Sequence, residues 1–190
     1  MLGIIISKIQ KYRYKKYMAS LIQRGLKIGK NSHVLDGAFL DPSHCFLISI
    51  GDNCTLAPNV RLIAHDASMK NFLGFAKIGR IKIHDNCFLG DSVMVLPGVS
   101  IGPNAIVGAG SVVTHNIPPN SVAAGNPAKV ITSLDEFMKK HKENKEKHRC
   151  FPYEQFNIAL ISEENKKEMI DYLENNMSYI GRKMVSPSEK

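Results

Sequence analysis

The sequence predicts an all-β fold built as a parallel β-helix of six-residue repeats, with one helix before it and a helical tail after it. Three observations carry this. From Ile83 an apolar residue recurs every six positions: Ile83, Leu89, Val95, Ile101, Val107, Val113. Four places after each stands a small or β-branched residue: Cys87, Val93, Val99, Ala105, Ser111, Ile117. Between them lie turn formers, as in Gly90-Asp91, Pro97-Gly98, Gly102-Pro103-Asn104 and Gly108-Ala109-Gly110. A period of six fits neither the helical 3.6 nor the alternation of a hairpin; it fits a short strand plus a turn, repeated. Three such units close one triangular coil, and coils stack about 4.8 Å apart through parallel pairing. The apolar residue points into the prism, and the small one fills the space near the corner. Gly or Asn supplies the tight or left-handed backbone of the corner.

Taken in chain order, residues 3–24 read as a helix. Ile5, Ile9, Tyr12, Leu21 and Ile22 roughly share one face, and Gly25 is the stop. The rhythm then begins at Ile28 and runs through Val34, Leu40 and Phe46. It slips by two places and resumes at Ile50, Leu56 and Leu62. Residues 46–49 therefore enlarge one turn. Residues 63–82 break the rhythm for twenty positions. A coil cannot hold them inside, so they protrude as a loop on a rigid scaffold, a common place for function. After the β-helix, Asn126-Pro127 and Thr132-Ser133 punctuate the chain. Ser133 with Glu136 reads as a capping box for a charged helix over 134–148. Ser162 before Glu163-Glu164 starts a second helix over 163–176. The segments are thus 1–25, a basic helix; 26–131, the β-helix with its loop 63–82; and 132–190, a helical tail.

The 190 residues carry 25 Lys+Arg against 17 Asp+Glu, a net charge of +8. The whole excess sits in the first thirty residues, which hold eight basic side chains and no acid. That segment reads either as a solvated helix face or as a contact for anionic lipid. The charge-balanced middle argues against nucleic acid despite the sequence pI near 9.3. No apolar run approaches the roughly 18–20 residues of a membrane span, and the apolar run Leu2–Ile6 is too short for a signal-peptide core. A cytoplasmic protein is expected, with residues 1–24 as its one membrane-surface candidate. The four cysteines form no CxxC pair, and Cys54 and Cys87 occupy small-residue slots as core filler. No Glu precedes Glu136, so any carboxylate serving the β-helix must be an Asp.

The run Val107-Gly-Ala-Gly-Ser-Val-Val-Thr-His-Asn-Ile-Pro-Pro-Asn-Ser-Val-Ala-Ala-Gly-Asn-Pro-Ala-Lys-Val-Ile131 closely resembles the end of the hexapeptide-repeat acyltransferases. Ile50-Gly-Asp-Asn-Cys-Thr-Leu-Ala-Pro-Asn-Val60 resembles the coil before their active-site loop. Among members the chain is most similar to the galactoside/maltose and the capsule or lipopolysaccharide O-acetyltransferases. The resemblance implies a left-handed β-helix, a homotrimer, and acetyl-CoA bound between neighbouring subunits. It implies His65 as general base, at the root of the loop. It implies coenzyme contacts at Asp91, Ala109, Thr114, His115 and Lys129, the last near a phosphate. Two positions depart from the galactoside enzymes: Ser92, where they carry a second His, and the surroundings of Cys45, where they carry an acid for their sugar. The expected function is O-acetylation of a sugar hydroxyl of a surface polysaccharide or its precursor.

The chemistry suits an imidazole, whose ordinary pKa near 6.5 lets it take a hydroxyl proton at neutral pH. Its other nitrogen needs an orienting partner: Asp66, Asp36, Asp41 or a backbone carbonyl. His33, His44 and His84 read as surface or turn residues, and His141 and His148 as solvated. Phe72, Leu73 and Phe75 read either as a wall over His65 or as packing onto a neighbouring subunit. The competing readings are N-acetylation of an amino sugar or xenobiotic, a non-catalytic trimeric scaffold, and a γ-carbonic-anhydrase-like metal enzyme. The last needs two closely spaced histidines, which the core lacks, so no metal is expected.

Overall fold

The computed structural model describes residues 2–181, and side chains from residue 12 onward. It divides into two compact units, Met1–Asp135 and Glu136–Lys190.

The first unit opens with α1 (Leu2–Gln23). Gly25, at φ +104, ends it in a left-handed cap: its N–H reaches Ile22 O at 3.0 Å, and the N–H of Leu26 reaches Leu21 O at 3.0 Å. Leu21 is buried, and the Tyr14 hydroxyl donates to Val34 O and Leu35 O, so the helix closes one end of the prism.

Strands β1 (Lys27–Ile28), β2 (His33–Val34) and β3 (Phe39–Leu40) form the first coil. β4 (Ile48–Ile50), β5 (Thr55–Leu56) and β6 (Arg61–Leu62) form the second. The loop then carries β7 (His65–Asp66), α2 (Lys70–Leu73) and β8 (Lys77–Ile78), with β7 and β8 antiparallel. β9 (Ile81–Ile83), β10 (Phe88–Leu89) and β11 (Met94–Val95) make the third coil, and β12 (Ser100–Ile101), β13 (Ile106–Val107) and β14 (Val112–Val113) the fourth. β15 (Ser121–Gly125) pairs with β13, and β16 (Ala128–Ser133) turns back antiparallel on β15.

Three parallel sheets result: β1-β4-β9-β12, β2-β5-β10-β13-β15 with antiparallel β16 at its edge, and β3-β6-β11-β14. Partners such as Leu89↔Val107 and Val95↔Val113 lie one coil apart in sequence. Every apolar slot from Ile83 to Val113 is buried, and so are Cys54, Cys87, Val93, Val99 and Ala105. This architecture fits a left-handed β-helix.

At the corner after the first sheet, Asn31, Asn53, Asn86, Asn104 and Asn120 all take positive φ, between 52° and 58°. Each side-chain amide donates to the Oδ1 of the next, down to 2.8 Å between Asn104 and Asn120. Asn tolerates this backbone and also ties the coils together. Gly90 shows how close the stacking is: a Cβ there would meet Ala109 N at 2.6 Å.

Three expectations change. All-β describes the prism only, because helices also occupy Leu2–Gln23, Leu134–Lys147 and Glu163–Leu173. Phe46 does not point inward. The slip in rhythm is a 3₁₀ turn at Cys45–Leu47, in which Cys45 takes the interior and Phe46 is 58% exposed against Gly25. The repeat also does not run on to residue 131, since the Asn126-Pro127 turn reverses the chain into β16.

In the second unit, α3 (Leu134–Lys147) crosses the boundary. β17 (Cys150–Pro152) pairs in parallel with β18 (Tyr179–Gly181), α4 (Tyr153–Phe156) follows β17, and α5 (Glu163–Leu173) lies between them in sequence. Phe151 and Phe156 are its buried centre, with ring centroids 4.6 Å apart. Ser162 caps α5, its hydroxyl accepting from Asn165 N at 3.1 Å. Among the described residues no helix is long and apolar enough to cross a membrane.

Candidate active site

The site forms at the corner that follows the third sheet. Asp41 leaves β3 there, and one coil on, Ala64 and His65 leave β6. The stacking is fixed by backbone bonds from Asp41 N to Leu62 O and from Ile63 N to Val95 O, each 3.0 Å. β7 then pairs with β8, His65 opposite Ile78, which holds the loop root against the prism.

Asp41 is fully buried, and its Oδ2 accepts two bonds: from Ala64 N at 2.9 Å and from His65 Nδ1 at 2.6 Å. A carboxylate accepts only, so Nδ1 must carry the ring proton, and Nε2 presents a free lone pair. The His65 side chain keeps 34% of its surface exposed. Burial pushes the Asp41 carboxyl up, but the His65 hydrogen bond and charge and the N–H groups of Ala64 and His44 more than offset it. Its net shift is downward. A buried carboxylate kept charged and aimed at an imidazole holds that ring in one tautomer and would stabilise the imidazolium formed on proton uptake. Of the partners open in sequence, Asp41 is the one in place. Asp66 is turned to Ser68 N at 2.9 Å, and Asp36 is exposed at the corner after β2.

Sequence reading missed His44. Its ring packs on His65 with centroids 4.7 Å apart, and its Nδ1 lies 4.0 Å from Asp41 Oδ1. That Nδ1 is buried without a hydrogen-bond partner. The signal available was the Asp41-x-x-His44 spacing inside the one coil where the rhythm slips.

Four of the other site candidates fall on two corners. Thr114 and His115 follow β14 and so share the corner of His65, two coils further along; Thr114 Oγ1 and His115 Nδ1 lie 2.8 Å apart. Asp91 and Ala109 follow β10 and β13 at the preceding corner, joined by Gly110 N to Asp91 O at 2.8 Å. Asp91 Oδ1 accepts from Ser92 Oγ at 2.6 Å. Lys129 stands exposed on β16 opposite Ala124. His33 is exposed on β2, and His84 is partly exposed, 3.2 Å from Ser100 Oγ.

Residues 80–115 match the family described as bacterial transferase hexapeptide (six repeats). The galactoside O-acetyltransferase of Escherichia coli (strain K12) is 43% identical over 96 residues, which is 48% of this chain and 46% of that protein. The chain spans about half or less of the length of the curated relatives it matches. A solved galactoside acetyltransferase in complex with coenzyme A is 31% identical, with 66% of this chain and 74% of that chain covered, at a TM-score of 0.53. A hexapeptide-repeat acetyltransferase from Vibrio cholerae O1 biovar eltor, complexed with acetyl coenzyme A, shares the fold at a TM-score of 0.50. It is 23% identical over 64% of this chain and 78% of that one.

Proposed function

The chain belongs to the hexapeptide-repeat acyltransferases, and on that premise we propose that it moves an acetyl group from acetyl-CoA to a sugar hydroxyl of a surface polysaccharide or its precursor. The observation that carries the reading is the buried Asp41 carboxylate 2.6 Å from His65 Nδ1, at the root of the one large loop. His65 Nε2 takes the proton from the acceptor hydroxyl as its oxygen attacks the acyl carbon. Asp41 is a positioning residue: it fixes the tautomer and balances the imidazolium. As the leaving group departs, the same Nε2 returns the proton.

The residues fit the cosubstrate. Ala109 lies exposed between Gly108 and Gly110, leaving little side-chain bulk in front of the backbone there, which suits amide-to-amide bonding with a pantetheine arm. Lys129 offers an exposed ammonium to a phosphate, and Thr114, His115 and Asp91 add polar contacts along the two corners. Acetyl-CoA, when bound, supplies the activated acyl carbon and a thiolate leaving group.

On the same reading the working unit is a homotrimer. The outward residues of the first sheet are Lys27, Ser49, Lys82 and Ser100. Those of the other two sheets are His33, Thr55, Phe88 and Ile106 on one and Phe39, Arg61, Met94 and Val112 on the other, a mostly apolar surface suited to burial against other subunits. Phe72, Leu73 and Phe75 at the loop tip are 86%, 58% and 58% exposed, which supports a role across the same contact or as an acceptor wall. The enzyme then works in the cytoplasm, with residues 1–24 held at anionic lipid of the inner membrane surface. The exposed Arg13, Lys15 and Lys16 support this, and the side chains of residues 1–11 lie outside the described residues. Loss of liposome binding on removing 1–24 is the expected result; no binding by the intact chain overturns it.

The decisive assay is thiol release from acetyl-CoA against a panel of sugars and sugar nucleotides. His65→Ala should abolish transfer while the trimer and coenzyme binding persist, and near-normal turnover in that variant refutes the reading.

A further inference from the structure

Asp41, His44 and His65 each offer a donor atom, and the three atoms lie within 4.8 Å of one another. Among the described residues no other group of three His, Cys, Asp or Glu side chains converges in this way. The proposed reaction uses Asp41 and His65 and leaves His44 without a task. Its Nδ1 is nevertheless buried and has no hydrogen-bond partner.

We propose that this trio is a site for Zn2+, and that the ion, when it binds, switches the base off. Two imidazole nitrogens and one carboxylate oxygen suit Zn2+ and disfavour Mg2+ and Ca2+, which take oxygen ligands. Ligand bonds of about 2.0–2.2 Å place donor atoms roughly 3.3 Å apart around a tetrahedral ion. Asp41 Oδ2 lies 2.6 Å from His65 Nδ1 and Asp41 Oδ1 lies 4.0 Å from His44 Nδ1, so each ring faces its own oxygen of the carboxylate, and one donor atom from each residue lies within 4.8 Å of the others. To share one ion the His65 ring backs away from the carboxylate and the His44 ring moves in towards it. Moving His44 breaks no hydrogen bond of its Nδ1. The fourth position stays open to water, since the His65 and His44 side chains are 34% and 30% exposed.

The consequence for catalysis follows from proton bookkeeping and rests on the proposed role of His65. A neutral imidazole holds one ring proton. Bound to Zn2+ through Nδ1, the ring must carry that proton on Nε2, so the lone pair that would accept the hydroxyl proton is gone. No electron changes hands, and the proton only moves from one ring nitrogen to the other. Zn2+ here is an inhibitor that competes with the Asp41–His65 hydrogen bond and takes no part in the acetyl-transfer step.

The test titrates the full chain, stripped of metal with a chelator, with Zn2+ by calorimetry, and measures acetyl transfer on the same samples. The expected result is one Zn2+ per chain, at least tenfold weaker binding in His44→Ala and His44→Asn, and transfer lost in step with occupancy. Circular dichroism shows whether each variant is folded, and either folded variant suffices. Absence of Zn2+ binding, or binding as tight in the folded His44 variants as in the wild type, overturns the site. Zn2+ bound through His44 with transfer unimpaired at saturation leaves the site standing and overturns the base role of His65.

Discussion

Replacing Asp41 with Asn removes one negative charge and almost no volume. The amide oxygen can take the place of Oδ2 and still accept from Ala64 N and His65 Nδ1, now 2.9 and 2.6 Å from it. In that orientation the amide NH2 replaces Oδ1, which gives up only the weak bond from His44 N at 3.4 Å and leaves the NH2 facing His44 Nδ1, 4.0 Å from that position. The opposite orientation would set NH2 against the Ala64 N–H, so the first is preferred and the His65 tautomer survives. What goes is the charge opposite the imidazolium that forms as His65 takes the proton. With charge centres about 4 Å apart and an effective dielectric near 20, that interaction is about 4 kcal/mol. Part of it is already spent in the resting hydrogen bond, leaving roughly 3–4 kcal/mol, or about 10²–10³-fold in kcat. The assay is steady-state thiol release with the variant shown to be folded by circular dichroism. KM for acetyl-CoA should stay within about twofold, because the change lies at the base and not at the coenzyme contacts. A folded Asp41→Asn enzyme with kcat within threefold of wild type refutes the charge-balancing role of Asp41.

The same residue sets a pH dependence. Its carboxyl lies below its usual value of 3.8 in the folded chain, so its contribution to stability is full above about pH 5 and lost as pH falls through the folded value. Urea titrations at stepped pH should show the stability gap between wild type and Asp41→Asn shrinking below pH 4; a gap that widens there contradicts it. Asn86→Ala should cost about 1.5–2 kcal/mol, from the positive φ of 58° and two ladder bonds, and Asn86→Gly about half that. Equal denaturation midpoints for the two variants would remove the backbone part of the account. Ile101→Ala, in the centre of the prism, should lose about 3–4 kcal/mol with a clear drop in Tm, whereas a shift under about 1 kcal/mol would mean the interior closes over the gap.

The repeat was legible because its cause is local. A strand-plus-turn unit of six residues demands an inward apolar side chain, a small corner filler and a turn former each time, and the chain from Ile83 to Val113 supplies them without a miss. The helix stop at Gly25 and the cap at Ser162 were legible for the same reason, since each is satisfied within a few residues. Phe46 misled because its six-residue spacing is real but the turn at Cys45–Leu47 has left the coil path. His65 could be singled out by its place at the single large excursion.

Its partner could not. The absence of Glu before Glu136 narrowed any carboxylate to a few aspartates. Choosing Asp41 required the stacking of β3 on β6, which sets one corner above the next although 24 residues separate the two side chains. The local alternative, Asp66, spends its carboxylate on Ser68 N two residues away. Periodicity fixes which way a side chain points within its own coil. Which charge meets which ring depends on coil register, and register is decided by the enlarged turn at 45–47 together with the loop that β7 and β8 tie down.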